Sequence, residues 1–158
     1  MKKVWAVISR CYSAHHVSTQ FSGLTLNSFT NPDSPKENYP ELKGNGAENK
    51  DLVGPLWEAW TTLMAAHSYG YERVNTLLET QLAMLNLLND NSGNLFLTPA
   101  DAHHFRKHTD DLLFLYTELA KQADREGLLL WKVVPKHHWL WHLAQSKLLE
   151  SKAQLLHA

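Results

Sequence analysis

The sequence predicts an all-α fold, with an irregular N-terminal arm over residues 1–46 and a bundle of about four helices over residues 47–158. Three observations predict it. Gly23, Pro32, Pro35, Pro40, Gly44 and Gly46 crowd the stretch from 13 to 46 and break any helical period there. After Gly46, apolar residues recur at spacings of three and four, which lines them up on one helix face. The links between these periodic segments are short, and helices on short links pack as a bundle.

The arm opens with "MKKVWAVISRCYS". Arg10 cuts its apolar stretch too early for a signal-peptide core of about 7–15 residues. The first acidic residue is Asp33 and serine is frequent before it, which matches the composition of an organelle transit peptide. The plainer reading is an ordinary N-terminal segment, or the cut edge of a longer protein. "TNPDSPKENYP" carries turn and extended signals. Phe21, Leu24, Leu26 and Phe29 are suited to docking the arm on the helical body. "FSGLTLNSF" partly alternates, so a short strand is the alternative there.

In "AENKDLVGPLWEAWTTLMAA", Leu52, Leu56, Trp60, Leu63 and Met64 share a side. Pro55 either kinks this helix or starts it, since proline is tolerated only in a first turn. Next, "YERVNTLLETQLAMLNLLND" spaces Tyr71, Val74, Leu78, Leu82, Leu85 and Leu88 by three and four, and "NDNSGN" ends it. Thr98 as cap, Pro99 in the first turn and Asp101 near the positive end of the dipole start the next helix. Phe105, Leu112, Leu115, Leu119 and Ala123 continue its apolar face, and Gly127 stops it. "LLLWKVV" reads as a short extended connector that delivers Trp131 and Val133 or Val134 to the core. A last helix is expected from Pro135 to about Leu156, with Trp139 or Trp141 buried.

Fifteen basic and sixteen acidic residues give a net charge of −1, which offers no electrostatic case for nucleic acid or an anionic membrane. No apolar run approaches the roughly 18 residues of a membrane span. Cys11 is the single cysteine, so an intrachain disulfide and a thiolate-rich zinc site are both excluded. A reducing intracellular compartment, nucleus or cytoplasm, is the expected location.

Two histidine clusters stand out among ten histidines: "AHHFRKH" and "PKHHWLWHL". On a helix, His104 and His108 share a face, as do His138 and His142. Asp101 and Asp111 extend the first stripe. Four such imidazoles could ligate zinc or iron, and these are the candidate metal residues. Weighed against this, the Glu-x-x-His spacing of bundle di-metal sites is missing, because Asp101 and Pro135 stand three residues before His104 and His138. H-E-x-x-H is missing too. A structural role among neighbouring aromatics is the leading expectation, and the two pairs are expected to lie well apart. The sequence contains no nucleophile elbow, P-loop or dinucleotide fingerprint. Cys11 with His15 or His16 is too local for a nucleophile dyad. Trp57 and Trp60 could form an aromatic platform but read first as core.

Three stretches, "FSGLTLNSF", "YPELKGNGAENKDLVGPLWEAW" and "GLLLWKVVPKHHWLWHL", together resemble a large multi-copy family of dinoflagellate genomes derived from mobile elements and transposase-like. The resemblance spans roughly residues 20–145. Its sharpest part is a Pro-Lys-x-His-x-Leu-x-His-Leu pattern, matched by Pro135, Lys136, His138, Leu140, His142 and Leu143. Family members continue into an acidic segment, whereas this chain runs "AQSKLLESKAQLLHA" after Leu143. A DNA-cutting site needs several clustered acidic metal ligands. Asp110, Asp111 and Glu118 read instead as solvated or capping charges.

The expectation is therefore a non-enzymatic helical domain, with no catalytic residue and no cofactor, acting through a protein partner. The resemblance implies a catalytically incomplete transposase-derived fragment. A histidine-liganded metalloprotein is one alternative. A nucleic-acid-associated domain, using Arg106, Lys107, Lys132 and Lys136, is another.

Overall fold

The computed structural model describes residues 1–25, 28–29, 39–65 and 70–146. Five helices form among them: α1 (Lys2–His15), α2 (Gly46–Leu63), α3 (Tyr71–Asp90), α4 (Pro99–Arg125) and α5 (Pro135–Gln145). No β-strand forms among the described residues, including 21–25; the rest of the strand alternative, with Leu26, lies outside them. The fold is an all-α bundle. Its helices pack in chain order: α1 on α2, α2 on α3, α3 on α4 and α4 on α5.

The first helix corrects one expectation. Residues 2–15 are not irregular, although residues 17–25 and 39–45 are free of helix. Val7, Ile8, Cys11 and Tyr12 recur at helical spacing and are all buried. The glycine and proline signal begins only at Gly23, so extending it back to residue 1 overlooked this period. His16 ends α1 in the left-handed region, at φ 49°, and its N–H donates to the Tyr12 carbonyl. Phe21 and Leu24 then fold back onto α1 and α2, in one core with Val7, Ile8, Tyr12, Leu52 and Ala59. Phe29 and Leu42 pack against the same core.

A capping box starts α2. The Glu48 N–H donates to Asn45 Oδ1 at 2.9 Å, and the Asn45 N–H donates to Glu48 Oε2 at 2.8 Å. The helix begins well before Pro55 and runs through it, with the proline ring buried. Leu52 is buried, while Leu63 and Met64 at the helix end are exposed. Trp57 Nε1 donates to Asn75 Oδ1 at 3.1 Å, and Trp60 stacks on Tyr71 at 6.1 Å, so both indoles tie α2 to α3.

The start of α4 follows the sequence: the Asp101 N–H donates to Thr98 Oγ1 at 3.1 Å, with Pro99 in the first turn. Gly127, at φ 67°, stops the chain after Arg125. A second core joins Met84 of α3, Leu97 of the following link, Ala102 and Phe105 of α4, and Ala144 of α5.

Residues 128–134 form the expected non-helical connector, and α5 then runs antiparallel to α4. His137 meets Tyr116 near its start, and the Ala144 carbonyl accepts from Arg106 Nε at 3.2 Å near its end. Two expectations fail here. Ser146 takes an extended conformation, so α5 stops at Gln145, and the remainder to Leu156 lies outside the described residues. Neither Trp139 (69 % exposed) nor Trp141 (41 % exposed) is buried. Ala144 and half-buried Leu140 face the core instead, the half-buried Trp131 packs edge-on against Tyr116 at 5.3 Å, and of the two valines Val134 is half-buried while Val133 is exposed.

Candidate functional site

The histidine candidates stay as two pairs. His138 and His142 lie one turn apart on α5, with their Nε2 atoms 2.9 Å from each other and their ring centroids at 4.2 Å. One ring can donate to the other, or both nitrogens can face a single ion. His104 is exposed and His108 half-buried on α4, and His104 meets the His103 ring edge-on at 6.0 Å. Among the described residues, these four imidazoles form no group of three or more ligand atoms within 4.8 Å of one another. His137 faces inward onto Tyr116, and burial holds its pKa below the ordinary histidine value.

An apolar groove of about 770 Å³ opens between α2, α3, α4 and α5. Leu77 and Leu78 of α3 and Leu112, Leu113 and Leu119 of α4 form its floor. Its sides come from Leu56 and Trp60 of α2 and from Trp131 and Leu140. Leu77, Leu78 and Leu119 are themselves buried, so the groove is floored by core side chains. Polar groups are few and sit at Gln81, Gln122, Glu126 and His137. Leu128 and Leu130 of its lining are exposed, and so are Trp139, Trp141 and Leu143 on α5. Scattered surface leucines are ordinary, whereas apolar side chains gathered in one concavity are not.

A second cavity, of about 680 Å³, opens between α1, α2 and α3. Cys11, His15 and Glu58 meet at it, with ligand-type atoms all within 4.8 Å of one another. Cys11 is 5 % exposed. Burial, chiefly, and the adjacent Glu58 carboxylate push its thiol pKa up to about 11, so it rests protonated. The hydrogen bonds from Cys11 and from Arg10 hold the Glu58 carboxyl below its ordinary value. Arg10 reaches Glu58 Oε1 at 3.2 Å. The sequence points to Cys11 with His15 only as a nucleophile pair, set aside as too local, and does not bring Glu58 to them. Cys11 and His15 are one turn apart, a signal available once residues 2–15 are read as a helix. Glu58 arrives from another helix through packing, which no local spacing announces.

No protein-family model, curated protein or solved structure matches this chain.

Proposed function

We propose that this protein is a non-enzymatic helical module that docks a partner protein through the groove between α2 and α5. The observation that supports this best is the groove itself, with about 770 Å³ of open space lined mainly by leucine and aromatic side chains. Apolar surface left in water loses roughly 25 cal/mol for each Å² that a partner could cover. The fitting occupant is an amphipathic helix that lays its apolar face along Leu113, Leu77 and Leu140. Its flanks need little charge, because the groove residues include only one carboxylate, Glu126. The resemblance to a transposase-like family supplies an origin for such a module, as a piece of a larger assembly that has kept its contacts.

Site-specific photocrosslinking tests the reading. A photoreactive residue at Leu113 or Leu130, both in the groove lining, should trap a discrete protein adduct in cells. The same residue at Ser13 on α1, which lines no part of the groove, should not. Equal labelling from all three positions, or none, refutes groove docking. An adduct of twice the chain mass identifies a second copy as the partner.

A further inference from the structure

We propose that Cys11, His15 and Glu58 bind one zinc ion and clip α1 to α2. The three side chains offer one sulfur, one nitrogen and one oxygen, all within 4.8 Å of one another. At zinc bond lengths of about 2.0–2.3 Å, tetrahedral ligand atoms lie roughly 3.3–3.6 Å apart. The observed spread closes to this by rotation of the exposed His15 and half-exposed Glu58 side chains. Cys11 and His15 come from successive turns of one rigid helix, so two ligands are positioned before the metal arrives.

Charge and softness select the ion. Binding replaces the thiol proton of Cys11 with the metal and releases that proton to solvent; nothing is oxidised or reduced. A thiolate, a carboxylate and a neutral imidazole then balance a dipositive ion. Thiolate and imidazole favour zinc over magnesium or calcium. The fourth position faces the cavity lined by Asp51, Thr61, Asn86 and Asn89, where a water molecule can be held. Three protein ligands and one open position make a recurrent zinc arrangement. Arg10 is the competitor. Its guanidinium pairs with Glu58 in the metal-free protein and must give up that contact, which its exposure permits. The site therefore binds more tightly when Arg10 is removed, a result that a purely structural Cys11–Glu58 contact does not produce.

Cobalt(II) titration of the reduced full chain tests this. Cys11 is the only cysteine, so a thiolate-to-cobalt charge-transfer band can arise from it alone and not from His138 and His142. The expected result is a one-to-one band that zinc bleaches. His15→Ala and Glu58→Gln should each weaken binding by at least about tenfold, and Arg10→Gln should tighten it. Saturating zinc should raise the melting temperature of the wild type but not of Cys11→Ser. Because His15 and Arg10 are exposed, their variants leave the core intact, and far-ultraviolet circular dichroism checks this. Cobalt bound without the thiolate band, or His15→Ala and Glu58→Gln binding as tightly as the wild type, overturns the proposal.

Discussion

The Tyr116 hydroxyl donates a hydrogen bond to the main-chain carbonyl of Lys132 at 3.0 Å, pinning the middle of α4 to the connector before α5. The same ring stands edge-on to Trp131 at 5.3 Å and to His137 at 4.5 Å. One side chain thus sets both where the connector lies and where α5 begins. Tyr116→Phe keeps the ring contacts and removes only the hydroxyl. It should lower stability by about 0.5–1.5 kcal/mol. Urea unfolding measures this, and an unchanged midpoint would show that the bond contributes nothing.

His137 should make the protein acid-sensitive. Burial lowers its folded-state pKa, so the unfolded chain binds the proton more readily. Its contribution is present above the unfolded value of about 6.5 and is lost as pH falls through the folded value. Stability should therefore decline below about pH 6.5. His137→Gln should flatten that limb, as read from denaturation midpoints against pH. An equally steep limb in the variant would assign the sensitivity elsewhere.

Gly44 has no room for a side chain. A Cβ there would run into the Phe21 ring and Asn49 Oδ1. Because Phe21 belongs to the core of α1 and α2, Gly44→Ala should displace it and cost about 1–3 kcal/mol. Gly46→Ala, where nothing lies within 4 Å, is the matched control. Thermal melts that rank the two variants equally would contradict the close approach.

Trp139 contributes little to folding. It is 69 % exposed, so Trp139→Ala should shift stability by no more than about 0.5 kcal/mol. Phe105→Ala, at 2 % exposure, should cost about 3–5 kcal/mol. Comparable losses for both, by equilibrium unfolding, would mean that Trp139 is covered in solution.

Much of α3 and α4 was legible because their signals are local. Thr98, Pro99 and Gly127 act through the backbone of their own turn, and the leucine period of residues 71–90 needs no distant partner. Pro55 was ambiguous because a proline inside a helix depends on what its burial returns, and that lies in the packing of α2. The fate of Trp139 and Trp141 was illegible for a related reason. Their hydrophobicity favours burial, but Ala144 lets α5 approach α4 closely along a different face. His138 and His142 were correctly paired by spacing, whereas Glu58 reaches Cys11 only through the contact of α1 with α2.

The chain-order packing of the helices also bears on how the molecule assembles and comes apart. Each of α2, α3 and α4 rests on two neighbours, while α1 and α5 each rest chiefly on one. From α2 onward, contacts between sequence neighbours close short loops, so the entropy of closure there is small and that part should fold fast; α1, which ends at His15, joins α2 at Gly46 through a much longer link. Stability then resembles a sum over successive interfaces, as in repeat proteins, rather than a single indivisible core. The exposed ion pair of Lys132 with Glu41, at 3.1 Å, is a weak brace against this. Amide protons of α1 and α5 should therefore exchange sooner than those of α3, and the molecule should open from its two ends inward.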